Sequence, residues 1–406
     1  MSERWVLIFA YHFPPENAIG AARPYRFYKY LPRHGYKCHV ITAADVSARP
    51  DLNAEYVPDP FVHTPRQGVG WQVERAVRRF LLPGVIGTQW AYRAYQAGLR
   101  FLNQHPGDRV TLFSTFPPLG CHLAAWQLGR RGGLPWIADF RDPMADNPIH
   151  KFLPRRTEMI YERLQRMFIK SAAAFIANTD EAERLLKQKY PAQATRVHLL
   201  WNGFDPEQRV PALPLPDRNF KLLSHAGELY QERTAAPLLE SFGRLIGAGR
   251  LSANSLRVEL VGAMDSDLLP PPAFLEAAEA QGWLKLRPHQ VSKPEALEIA
   301  QTSDGLLLIQ PQSRLQVPGK LYEYLQIGRP VLAAVPRNSP VERVLERSGI
   351  AYRCVYTGSS PAEFDEAVLS FMSLSSEPVQ PGAWFEGTFN ADAQTGALAK
   401  LIEQLS

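Results

Sequence analysis

The sequence predicts an α/β protein built from two doubly wound domains. Short runs of β-branched and leucine residues alternate with amphipathic stretches of helical period. The alternation stops once, at a stretch holding Pro206, Pro211, Pro214 and Pro216, and then resumes with the same texture. Alternation of this kind is the signature of a parallel sheet covered by helices on both faces. A proline-rich stretch resists both helix and strand and reads as a linker. The chain has 406 residues, enough for two cores.

Before the linker, strands are expected over Trp5–Ala10, Cys38–Thr42, Val110–Ser114, Pro135–Asp139, Ala173–Asn178 and Val197–Trp201. Helices are expected over Arg23–His34, closed by Gly35, and over Leu119–Arg131, Lys151–Ser171 and Asp180–Tyr190. After it, strands fall at Lys221–His225, Arg257–Val261, Leu284–Arg287, Gly305–Ile309 and Val331–Val335. The intervening helices are Ala235–Ala248, Ala273–Gln281, Pro294–Thr302 and Lys320–Gln326, followed by Ser339–Ser348, Pro361–Met372 and Leu398–Leu405. Ligands of doubly wound sheets bind at the carboxyl ends of the strands, and a cleft between two such domains is the default site.

Hydrophobic residues make up 45% and charged residues 21%, which excludes a disordered or fibrous chain. Cys38, Cys121 and Cys354 are too far apart for a disulfide framework or a metal pair and fit a reducing cytoplasm. No run approaches the ~18 apolar residues of a membrane span, and no signal sequence is recognised. Residues 1–205 hold 27 Lys and Arg against 17 Asp and Glu; the remainder holds 18 against 23. The basic first half points to an anionic partner, whether nucleic acid, phospholipid or a phosphorylated substrate.

Four segments could carry chemistry. After the first strand, Tyr11–Arg23 contains Gly20 with Ala21 and Ala22, small residues that let a ligand reach backbone N–H groups; an ordinary strand–helix loop explains them equally. Gly20 stands alone, so this is not a dinucleotide fingerprint. Asp139-Phe140-Arg141-Asp142-Pro143 follows a strand and could bind a hydroxyl-rich substrate, with Asp142 orienting a sugar, or could be a structural ion pair. His225–Arg233 offers Gly227 for close backbone approach and Arg233 for a diphosphate, or an Arg233–Glu232 surface pair. Gly319 and Lys320 open a helix where phosphate is welcome; Glu323, one turn on, can take both hydroxyls of a ribose. Asp265-Ser266-Asp267 reads as a surface turn rather than a cation site. Arg75–Arg100 mixes five arginines with Phe80, Leu81, Leu82, Trp90 and Tyr92, which suits an anionic membrane surface or an amphipathic core helix.

These residues resemble the GT-B glycosyltransferases, specifically the retaining family 4 type of bacterial polysaccharide synthesis. The resemblance rests on Phe13-Pro14-Pro15 with Gly20 and Arg23, on Ser114–Pro118 with Trp136 and Asp139–Pro143, on Asn202-Gly203-Phe204-Asp205, and above all on Gly319–Ala333. It implies an acceptor-binding domain over 1–205 and a nucleotide-sugar donor domain over 206–384. A helix at about 385–406 would pack back on the first domain.

The resemblance further implies Gly227, Arg233, His289, Val291, Lys320, Leu321 and Glu323 for the donor, and Gly20, Arg23, Arg141 and Asp142 for the acceptor. Asp142, Arg233 and Lys320 would be catalytic, with no metal and no cofactor beyond a UDP- or GDP-type sugar as co-substrate. The acceptor would be a saccharide or lipid-linked, the location cytoplasmic and peripheral at the inner membrane face, with no nucleic acid partner. The family pattern has two glutamates; Glu323 matches the second, whereas the first falls at Leu315. The alternatives are a sugar-nucleotide epimerase or hydrolase of the same fold, and a non-catalytic nucleotide-sugar binder.

Overall fold

The computed structural model describes residues 2–16, 19–43, 49–62, 87–146, 155–230 and 233–405. The chain divides into two units, Met1–Asp205 with Ala391–Ser406, and Pro206–Asn390. The described elements of the first run β1 (Arg4–Phe9), α1 (Ala22–Tyr30), β2 (Lys37–Thr42), β3 (Ala54–Tyr56), α2 (Trp90–Gln104), β4 (Arg109–Phe116), α3 (Leu119–Gly132), β5 (Trp136–Phe140), α4 (Arg155–Ser171), β6 (Ala174–Ala177), α5 (Asp180–Lys189) and β7 (Val197–Leu199). The second runs β8 (Lys221–Ala226), α6 (Ala236–Gly247), β9 (Leu256–Val261), α7 (Pro272–Ala280), β10 (Leu284–Arg287), α8 (Lys293–Gln301), β11 (Gly305–Ile309), α9 (Gly319–Ile327), β12 (Val331–Val335), α10 (Pro340–Ser348), β13 (Tyr352–Tyr356), α11 (Pro361–Met372) and α12 (Ala383–Phe389). A last helix, α13 (Ala391–Leu405), belongs to the first unit.

Both sheets are parallel and doubly wound. The first has the order β3-β2-β1-β4-β5-β6-β7, the second β10-β9-β8-β11-β12-β13. In each, the strand order reverses between the first strand and its fourth, the point where such sheets take ligands. Alternation along β1 explains the two-sided burial: Trp5, Leu7 and Phe9 pack with α2, α3 and α4, whereas Val6, Ile8 and Ala10 pack with Phe27 of α1 and Leu398, Leu401 and Ile402 of α13. In the second unit Leu223, Val258, Leu260 and Leu307 meet Leu238, Leu239 and Phe242 of α6 and Phe364, Val368 and Phe371 of α11. Each such side chain, fully buried, contributes about 1.5–3 kcal/mol.

Local sequence explains where helices start and stop. Thr179 caps α5 by accepting from the Ala182 N–H at 3.1 Å, with Asp180, Glu181 and Glu183 in the first turn and Lys187 and Lys189 in the last. Ser360 and Glu363 form a capping box on α11. Gly35 ends the turn after α1 at φ 82°, and Gly328 ends α9 at φ 77°, where a Cβ would lie 2.2 Å from the Val379 carbonyl oxygen.

Two expectations change and one open reading is decided. The chain returns to the first unit at Ala391, not at about 385, because Phe385 and Phe389 are fully buried in the second unit, Phe389 against Tyr322. Trp90 is a core residue, its ring edge-on to Tyr11 at 5.4 Å, which agrees with the core-helix reading of its stretch. The strands β3 and β13 are not among the expected ones. Arg75, Arg78, Arg79, Phe80, Leu81 and Leu82 lie outside the described residues, as do Glu232 and the first residues of the expected Lys151 helix. Among the described residues no helix is long and apolar enough to cross a membrane.

Candidate active site

In the second unit, the reversal point between β8 and β11 brings Gly227, His225 and Lys320 together. Lys320 stands in the first turn of α9, after Pro318 and Gly319. Its ammonium donates to the Ala226 carbonyl at 3.1 Å and lies 3.3 Å from His225 Nε2. A Cβ on Gly227 would come within 2.1 Å of Lys320 Nζ, and Gly227 has φ 155°. Glycine is therefore required twice there, for conformation and for room. Gly262, at the end of β9, has φ 132° and would press a Cβ to 2.6 Å from the Gly227 carbonyl oxygen. The two glycines let the ends of adjacent strands close on each other.

Burial pushes the Lys320 amine down to about 8, and the nearby Arg233 charge adds to this; Glu323 and Glu228 oppose it. The Arg233 guanidinium sits over the Tyr230 ring at 4.5 Å. Glu323 pairs with Lys293, at the start of α8, at 3.0 Å. His289 is exposed and Val291 half-buried in the segment after β10. This end of the sheet thus carries two cations and one carboxylate suited to a diphosphate and a diol.

Leu321 is a correction. Its side chain is fully buried and its N–H donates to the Pro318 carbonyl at 3.0 Å, so it supports α9 and has no group turned to a ligand. His225 is the residue that sequence reasoning missed as a participant, although it opens the segment His225–Arg233. Asp265 and Asp267 form a short helical turn, and no group of metal-ligating residues occurs among the described residues.

In the first unit, Arg141 spans the corresponding reversal point. Its guanidinium donates to the Gly20 carbonyl at 2.7 Å, after β1, and to the Pro117 carbonyl at 3.4 Å, after β4. A Cβ on Gly20 would meet that guanidinium at 3.0 Å. Asp142 lies 3.7 Å from Arg141 Nε. His12, in the same loop, pairs with Glu16 at 3.0 Å.

Arg23 is the second correction. It is buried, and its five N–H groups go to Asp139 twice at 2.9 Å, to the Leu200 and Trp201 carbonyls, and to Asn202 Oδ1. Asp139 also accepts from the Thr115 hydroxyl at 2.9 Å. Nothing on Arg23 is left for an acceptor substrate. Its neighbours on α1 hold the same turn. Arg26 donates to the Gly203 carbonyl, and Lys29 and Tyr30 bond to Asp205 at 2.7 and 2.6 Å. The Asn-Gly-Phe-Asp turn is thus read by one face of α1.

Residues 22–208 match the family Glycosyltransferase Family 4. No curated protein matches the chain. Among solved structures, sucrose-phosphate synthase from Thermosynechococcus elongatus is similar with a TM-score of 0.67 at 12% identity, over 99% of each chain. Anabaena HepE in complex with UDP and glucose gives 0.60 at 12% identity, over 99% of this chain and 100% of that one. The catalytic domain of starch synthase IV from Arabidopsis thaliana, bound to ADP and acarbose, gives 0.60 at 11%, over 100% and 99%. The fold of this chain is therefore GT-B, the fold of these glycosyltransferases, and its residues 22–208 match Glycosyltransferase Family 4.

Proposed function

We propose that the chain is a glycosyltransferase that moves a sugar from a nucleotide diphosphate sugar to a saccharide or lipid-linked acceptor, with retention and without a metal. The observation that carries this is the Lys320 ammonium, set beside Gly227 at the reversal point of the second sheet, with Arg233 close by. Two cations there would offset charge developing on a diphosphate leaving group. Glu323 would exchange Lys293 for the ribose hydroxyls, and the segment carrying His289 and Val291 would flank the base. Neighbours solved with UDP or ADP support a nucleoside diphosphate. Gly20, Arg141 and Asp142 would meet the acceptor.

Work at the inner face of a membrane in polysaccharide synthesis is part of the same reading; exposed Tyr92 and Arg93 on α2 support it. The test is thermal denaturation with UDP, GDP, dTDP and ADP, for wild type and Glu323→Ala. A hundredfold excess over the dissociation constant stabilises by about 2.7 kcal/mol. One nucleotide should stabilise the wild type and fail with the variant. No shift with any of the four refutes the donor site. Turnover of the matching sugar nucleotide without acceptor would favour a hydrolase or epimerase.

A further inference from the structure

His225 is fully enclosed at the end of β8, and the donor chemistry described above does not call on it. Its Nδ1 lies 2.9 Å from the Leu307 carbonyl, across the reversal point on β11; the Tyr324 hydroxyl reaches the same carbonyl at 3.4 Å. A carbonyl only accepts, so Nδ1 carries the proton. In a neutral ring Nε2 then has a lone pair, and the group 3.3 Å away is the Lys320 ammonium. Burial and the Lys320 charge both hold the ring well below its usual range, so it stays neutral.

We propose that His225 is a positioning residue: a neutral imidazole, locked by Leu307, whose Nε2 accepts from Lys320 and holds that ammonium in the space Gly227 leaves open. The proposal rests on the donor-site reading for its consequence, though not for its geometry. The charged and titratable groups facing this pair are Arg233 and Glu228 from the segment after β8, and Glu323 and Tyr324 from α9. With the Lys320 amine at about 8, a bound diphosphate favours the protonated form, and affinity falls as pH rises above that value. Removing the Nε2 acceptor withdraws a stabilising contact from the ammonium and brings the fall to lower pH.

The test uses the full chain and two readouts. Acetic anhydride labelling of Lys320 against pH, followed by mass spectrometry, reports the amine directly. Calorimetric titration with UDP, GDP, dTDP and ADP reports binding. In His225→Phe the labelling midpoint should fall by about one pH unit and the affinity for the responding nucleotide by about threefold at pH 7.5, as the protonated fraction of the amine falls. His225→Gln, which can still accept from Lys320, should recover most of both. Should the Phe variant melt early, His225→Asn keeps a donor for Leu307, places no acceptor at the Nε2 position, and makes the same decision. Unchanged midpoint and affinity in a folded Phe or Asn variant overturn the proposal. A shifted midpoint with no nucleotide bound by the wild type supports the positioning role and refutes the donor reading instead.

Discussion

Two buried histidines, one in each unit, show how the same side chain serves a core and a site. His122, on α3, is ringed by Phe116, Trp136, Phe140 and Phe168. Its Nδ1 shares a hydrogen bond with the Ser114 hydroxyl, which accepts from the Trp136 indole, both at 2.8 Å, and its Nε2 has no partner among the described residues. Burial alone drives it down to about 3. His225 is equally enclosed, but its second nitrogen faces a lysine at the carboxyl end of a sheet. Enclosure is common to both; only the position relative to the strand ends separates a packing histidine from one next to chemistry.

The same contrast holds for the cations at the two reversal points. Arg23 and Arg141 spend their donors on carboxylate and carbonyl groups of the first unit. Lys320 has one carbonyl and one imidazole, and sits desolvated. The first unit is held together by its cations; the second stores one at a cost.

Breaking the Arg23–Asp139 pair should have the largest effect. Arg23→Met leaves a buried carboxylate unpaired, and chemical denaturation should show a loss of about 3–5 kcal/mol. A loss under about 1 kcal/mol would mean that the pair is not the anchor of the Trp201–Asp205 turn.

Acid should act next, through both histidines. Each folded-state value is depressed, so the unfolded chain binds the extra proton; stability is full above the usual histidine range and falls as pH drops from about 6.5 toward the folded values. The slope is up to about 1.4 kcal/mol per pH unit for each ring. Replacing His122 by Leu should flatten the curve and leave nucleotide binding unchanged, whereas replacing His225 should alter both.

Gly227→Ala sharpens the comparison further. The added Cβ must displace Lys320 and strains a backbone at φ 155°, so nucleotide affinity should drop at least tenfold and stability by more than about 1 kcal/mol. Lys320→Met gives the smallest and most telling stability effect. Below pH 8 the folded chain bears the cost of a buried ammonium, so the apolar variant should equal or exceed the wild type in thermal stability while losing nucleotide binding. A clear loss of stability would mean that Lys320 is structural, like Arg23.

Much of the fold was legible because burial on both faces of a parallel sheet writes itself as apolar runs. Gly305–Ile309 and Val331–Val335 follow directly from such runs. The missed strands are edges: Ala54–Tyr56 has three half-buried residues, and Tyr352–Tyr356 mixes Arg353 into a half-exposed run. The extent of α13 was hidden because Ala391–Gly396 is small and polar and takes its place from packing against α1, with Arg33 and His34 holding Asp392.

For the site, residue type and local punctuation determined the candidates. A glycine before a cation, a helix opening on Gly-Lys and a glutamate one turn later are chemical statements that a linear chain can make. Which of them face a ligand was decided only in three dimensions. Arg23 and Arg141 look alike in sequence, yet one is consumed by Asp139 and the Trp201 turn and the other bridges two loops. Leu321 and Lys320 are neighbours, yet the helical rotation between them sends one into the core and the other beside Gly227. His225 gained its partner from a residue 95 positions away. Hydrogen bonds of that kind depend on which strand ends the winding of the sheet brings side by side, and the order β9-β8-β11 exists only in the folded chain.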